Sequence, residues 1–600
     1  MNRSTMRISG RGAFLVAAGV LVSGGGGPLF AQASASVFSH ADTLRGANGP
    51  ARAWWDVTFY DLSVRVSPAD SSVAGSNRIT YRVLARGREM QIDLQRPMRL
   101  DSVVLSGAEA NALALRQDGN AWFVSLPAVQ MPGEHHTVTA YFHGRPTVAV
   151  RPPWDGGLQW VRDAEGRPWI ATSNQGLGAS VWWPNKDLQA EEPDSQRISV
   201  TVPTGLTDVS NGRLRAVTEN RDGTTTYEWF VSNPINNYSV AVNAGAYAHW
   251  SESFDGEDGG LTLDFWPLEE NLERARAQWS QVPSVLRCFE SWFGPYPFYG
   301  DGFKLVEVPY LGMEHQSAVA YGNGYMNGYR GTDLSGTGFG LQWDFIIVHE
   351  SAHEWWGNNI TAADIAENWI HEGFAAYAES LYTECLTGSV EAGAAYVRGT
   401  RARIVNDRPV IGVLGVNDDG GSDKYYKGSN LLHMLRQLVN DDTRWRSILR
   451  GLNEEFRHSI VPSPWVEGYI SRESGMDLGV VFDQYLRTTQ IPVLEWQMNG
   501  RLLSYRWADT LHGFAMPVRV STAAGRWQWI RPTGMWQVLE VDPDPEGAFA
   551  VDPDFYVLSR QVRVPEAGVP PAPDGSSRPS FPVPGLPPGT SPPPSGPGGP

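Results

Sequence analysis

The chain has 600 residues, 42% of them hydrophobic and 19% charged, which is too long for one compact domain and enough apolar material for several cores; three or four domains are expected. With 48 Lys and Arg against 65 Asp and Glu the formal charge is -17, so the chain has no electrostatic footprint for gripping nucleic acid or anionic lipid. Its two cysteines, Cys288 and Cys385, exclude a scaffold built on disulfides and leave their own pairing open. Any metal has to be held by His and carboxylate.

Residues 1–33 read as an export signal. Arg3, Arg7 and Arg11 precede an apolar stretch at 13–22, and small residues lead to Ala31-Gln32-Ala33, a cleavage site. About ten apolar residues cannot cross a hydrocarbon core of ~30 Å as a helix. No Cys follows the stretch, as a lipoprotein would need, and no adjacent Arg pair suggests twin-arginine export. No later segment reaches membrane-spanning length without charge, so an exported protein, periplasmic or extracellular, is expected. Residues 34–53 read as a linker.

Over 54–250 the pattern alternates with period two, as in Leu62, Val64 and Val66, in Ile79, Tyr81 and Val83, and in Ile198, Val200 and Val202. Punctuated by Gly, Pro and Asn211-Gly212, this is a large antiparallel β domain. Near Glu269 the period changes. Residues 272–293 read as helical, interrupted at Pro283 and closed by Gly294-Pro295, and helical patterns dominate 342–450 with stops at Gly357 and Gly388. Residues 251–492 therefore form a mostly helical part. Short β-like runs return over 493–564 as a small second β domain. The last segment, 565–600, holds fourteen prolines in thirty-six positions; it cannot bury enough surface to offset its ordering entropy and reads as a disordered or polyproline tail. The 24 tryptophans are scattered through β-like runs and read as core rather than as sugar-stacking platforms.

The chemistry concentrates in His349-Glu350-Ser351-Ala352-His353. On a helix His349 and His353 lie one turn apart, so both imidazoles leave the same face and reach one zinc ion at ~2.0–2.1 Å. Glu350 is rotated about 100° from His349, near enough to the open coordination position to act as a base on water. After eighteen intervening residues comes Glu372, at the head of a second helical run. A third ligand from a neighbouring helix leaves one position open, as a catalytic zinc site requires. A metzincin would need a histidine where this chain has Asn359. Glu379, two turns after Glu372 on the same face, is placed to orient a ligand imidazole.

The His-Glu-x-x-His motif, the gap to Glu372, the Trp355-Trp356-Gly357-Asn358 sequel and the Glu372-Gly373-Phe374-Ala375 run resemble the gluzincin aminopeptidases, the family of aminopeptidase N. The resemblance spans about 54–492, and two further segments carry it. In Leu311-Gly312-Met313-Glu314-His315 the family's Gly-x-Met-Glu-Asn strand is matched at Met313 and Glu314, with Gly312 in its variable position, and the resemblance implies that Glu314 binds the substrate's free α-amino group and that Gly312 and Met313 lie along the substrate. A fixed anion at the blind end of a cleft favours an ammonium over an acylated nitrogen. The chain departs from that pattern at Leu311 and His315, where the backbone approaches the peptide. In Lys424-Tyr425-Tyr426-Lys427-Gly428 the resemblance puts the oxyanion-stabilising tyrosine at Tyr425, a phenol that stays protonated at neutral pH. Gln175 matches a family glutamine lining the first substrate pocket.

The resemblance implies a multidomain α+β chain: an N-terminal antiparallel β domain, a mainly helical thermolysin-like catalytic domain and a small C-terminal β domain. It implies one Zn2+ per chain held by His349, His353 and Glu372, catalysis by Glu350 and Tyr425, and hydrolysis of the N-terminal residue from peptides with a free N-terminus. An endopeptidase using the same zinc site is the nearest alternative, and a non-catalytic peptide-binding protein on the same frame is a further one.

Overall fold

The computed structural model describes residues 38–107, 112–523, 526–542 and 549–563; the export-signal and tail readings fall outside them. Alternating burial builds the N-terminal part. The strand Ser195–Pro203 buries every second residue, and it lies in a seven-stranded sheet ordered Arg213–Glu219, Thr224–Val231, Ser195–Pro203, Trp55–Ser67, Ser72–Val83, His135–Gly144, Arg99–Leu105. All neighbours in it are antiparallel except Trp55–Ser67 and Ser195–Pro203, which run parallel with Leu62 opposite Ile198. A four-stranded sheet holds Pro168–Thr172 in its interior, between Asn243–Gly245 and Leu158–Arg162, and the chain leaving that strand carries Gln175 to Glu314. Trp55, Trp182 and Trp183 are fully buried between these layers, so the tryptophans there serve packing.

The catalytic part opens on a five-stranded sheet whose edge strand is Gly312–Met313, paired with Val319–Tyr321. The interruption near Pro283 falls earlier than expected. Helices Leu272–Trp279 and Val282–Phe293 are separate, and Pro283 sits in the first turn of the second, where its missing N–H has no helical partner to lose. Helix Phe345–Ala352 is capped by Asp344, whose side chain accepts from the Ile346 and Ile347 amides at 3.1 and 3.4 Å. Helix Trp369–Thr387 ends on Gly388 at φ 66°, the left-handed stop that glycine supplies without strain.

The C-terminal β part packs against the catalytic part: the hydrophobic core continues across residue 492 into Leu494, Trp507, Val520 and Phe555. The stretch read as a linker contains the helix His40–Gly46. Among the described residues no helix is long and apolar enough to cross a membrane.

Cys288 and Cys385 are joined, tying Val282–Phe293 to Trp369–Thr387 across 97 residues. Closing so long a loop in the unfolded chain contributes about 2–5 kcal/mol. Cys288→Ser is expected to lower Tm by several degrees, and reductant is expected to bring the parent protein down to the variant's value; equal melting with and without reductant would contradict the bond's contribution.

Candidate active site

Helix Phe345–Ala352 and helix Trp369–Thr387 bring three donor atoms together. His349 Nε2 and His353 Nε2 stand 3.4 Å apart, and each lies 3.4 Å from Glu372 Oε2. Ligands bound tetrahedrally at 2.0–2.1 Å are separated by about 3.3–3.4 Å, so the three atoms already form one face of a zinc tetrahedron. Glu372 Oε2 is buried and has no hydrogen-bond donor, a state that costs free energy unless a cation satisfies it.

The far sides of both imidazoles are fixed. His349 Nδ1 lies 2.8 Å from Glu379 Oε1, whose other oxygen accepts from Tyr396 at 2.8 Å; His353 Nδ1 lies 2.9 Å from the Trp356 carbonyl. Acceptors on both Nδ1 atoms keep the protons there and turn both Nε2 lone pairs toward the common centre. Burial disfavours charge on His349, yet the carboxylates Glu372, Glu379 and Glu350 outweigh it and push its pKa well up. This centre attracts positive charge, and the donor set fits zinc. Glu379→Ala is expected to cost about 10–100-fold in zinc affinity, read by competition with a chelating dye; unchanged affinity would reduce Glu379 to packing.

Glu350 points into the cleft beside this face. Gly312 makes room for it: a Cβ there would sit 2.9 Å from Glu350 Oε1 and 2.8 Å from Ile346. Burial first, then neighbouring Glu314, pushes the Glu350 carboxyl up to about 7 despite the two histidines, suited to taking and returning a proton near neutrality. Glu314 follows the edge strand and is 3% exposed. Gln175 Nε2 donates to Glu314 Oε1 at 2.6 Å and lies 3.5 Å from Glu372 Oε1, so it spans the ammonium candidate and the metal face.

The Met313 side chain is buried with Ala171, Tyr238 and Tyr310, while its neighbours Gly312 and Glu314 line the cleft. Leu311 does line the cleft, whereas His315 is fully buried with neither ring nitrogen bonded; burial holds its pKa down to about 3, so it is neutral.

Tyr425 precedes helix Tyr426–Val439, which crosses the Glu372 helix where Gly373 and Gly428 meet: a Cβ on Gly428 would be 2.9 Å from the Gly373 Cα. That close approach lets the Tyr425 hydroxyl donate to Glu372 Oε1 at 2.8 Å. Burial and the nearby Glu372 raise its pKa well above that of free tyrosine, so it stays a donor. Sequence reasoning missed Tyr396, which has no motif of its own, and the aromatic walls Trp154, Tyr329 and Phe345 of a cleft of about 440 Å³.

The His349–His353–Glu372 donor set on two helices, on this two-part β and helical frame, fits the zinc site of a gluzincin-type metallopeptidase. Residues 282–485 match the Peptidase family M1 domain. Aminopeptidase B of Mus musculus is 26% identical over 351 residues, covering 54% of this chain and 50% of that protein. Leucine aminopeptidase 2 of Vanderwaltozyma polyspora is 23% identical over 295 residues, covering 48% and 39%. The chain thus spans about half the length of the curated relatives it matches. The M1 zinc metallopeptidase of Deinococcus radiodurans shares the fold, with a TM-score of 0.62 at 20% identity over 74% of this chain and 96% of that one.

Proposed function

We propose that the protein is an exported zinc aminopeptidase, removing the N-terminal residue from peptides. The observation that carries this reading is the Gln175–Glu314 contact at 2.6 Å beside the metal face. An endopeptidase binds an acylated nitrogen on that side of the metal, whereas here a buried carboxylate and its amide partner stand beside the metal face and offer an anion to an ammonium.

His349, His353 and Glu372 would hold a zinc ion, which would supply Lewis acidity toward a carbonyl oxygen and toward water. Glu350 accepts the proton of the attacking water on its carboxylate and returns it to the leaving nitrogen. Glu314 and Gln175 hold the α-ammonium, which fixes the first residue and aims its carbonyl. Tyr425 turns its hydroxyl from Glu372 to the oxyanion as negative charge develops there. Export is supported by the signal-like residues 1–33 and by the Cys288–Cys385 bond, a pairing favoured in oxidising compartments.

The test is a panel of aminoacyl fluorogenic substrates beside their acetylated twins, on zinc-loaded and chelator-treated protein. Chelator-sensitive cleavage confined to the free-amine set is expected, and a hundredfold excess of zinc over its Kd is expected to stabilise the fold by about 2.7 kcal/mol. Cleavage of the acetylated set would establish the endopeptidase; silence in both would leave a binding protein.

A further inference from the structure

The helix His40–Gly46 buries none of its residues, and a helix this short does not hold itself together in water. Its order comes from polar docking on two sides. Toward the N-terminal β domain, the Arg45 guanidinium donates to the Leu177 carbonyl, which also accepts from Gln95 Nε2 at 2.5 Å. Arg45 lies beside Asp187, and the pair fills the space under Gly178: a Cβ there would come within 2.5 Å of Asp187 Oδ2 and 2.7 Å of Arg45 Nη2. Leu177 is two residues from Gln175, in a loop closed by the Gly178 amide on the Asn174 carbonyl at 2.7 Å. Arg45 therefore props, from beneath, the loop that reaches Glu314.

Toward the catalytic part, the Asn417 amide donates to the Asp42 carbonyl at 3.1 Å. Gly46 lies so close to Val416 that a Cβ would be 2.1 Å from its carbonyl carbon. The same loop is pinned by the Gly415 amide on Asp364 Oδ2 at 2.7 Å, and it leads within ten residues to Tyr425. Arg52 locks the strap's end, donating to the Arg45 carbonyl at 2.8 Å and to Asp93 at 2.6 Å.

We propose that helix His40–Gly46 is a strap that positions two walls of the cleft at once, with Arg45 the positioning residue for Gln175 and Gly46 the fitting point for the loop that delivers Tyr425. The kinetic consequences rest on the aminopeptidase reading; the mechanical ones do not. Because the strap contributes nothing to the hydrophobic core, its loss is expected to loosen the site while the fold remains.

The test compares Arg45→Ala, Arg45→Lys and Gly46→Val with the parent full-length protein by hydrogen exchange and by kinetics on a free-amine aminoacyl substrate. Arg45→Ala is expected to quicken exchange over 174–178 and to raise KM about tenfold with kcat little changed, the scale of one charge-assisted hydrogen bond. Arg45→Lys is expected to fall between. Gly46→Val is expected to quicken exchange over 413–425 and to lower kcat instead. Unaltered exchange in both segments, or a lower Tm with KM and kcat unmoved, would overturn the strap. A parent protein without aminopeptidase activity would sink the functional reading and leave the exchange result to decide the strap; should Arg45→Ala not fold, the other two variants carry both readouts.

Discussion

Glu350→Gln is expected to lower kcat by about 10²–10⁴-fold, the share a positioned general base supplies, with zinc content still one per chain. The amide keeps the shape that Gly312 accommodates at 2.9 Å from the ideal Cβ, and it removes a carboxylate buried beside Glu314 and Glu372. Stability is therefore expected to hold or rise slightly, since a repelling charge leaves a desolvated cleft. Metal analysis, melting and steady-state kinetics on one preparation separate the possibilities. Lost zinc would make Glu350 a ligand, and retained turnover with zinc in place would remove it from the chemistry.

What the sequence disclosed about this site follows the range of the contacts. His349 and His353 are four residues apart on one helix and Glu379 is seven beyond Glu372, so helical geometry alone aims them. Contacts between remote segments left no such trace. The parallel pairing of Leu62 with Ile198, the Cys288–Cys385 bond, the hold of Tyr396 on Glu379 and the docking of Gly46 against Val416 each join segments whose local patterns are complete without the other. The core that crosses residue 492 was hidden for the same reason: short strands look alike whether they pack on one another or on a neighbouring helix layer.

Glu314→Gln tests the step from metallopeptidase to aminopeptidase. In the parent protein Glu314 is buried, bonded to Gln175 and close to Glu350 and Glu372; a substrate ammonium arriving there would meet a desolvated carboxylate. Removing one partner of such a buried charge pair costs about 2–5 kcal/mol, so kcat/KM on free-amine substrates is expected to fall roughly 30- to 4,000-fold at about 1.4 kcal/mol per decade. Zinc binding should be untouched, because Glu372 Oε2, His349 and His353 keep their mutual spacing of 3.4 Å without Glu314. The discriminating quantity is the ratio of free-amine to acetylated substrate, which is expected to collapse toward unity as the free-amine rate falls. A rate loss shared equally by both substrates would instead mean that Glu314 acts on the metal face or on Glu350, and the ammonium would have to be held elsewhere in the cleft.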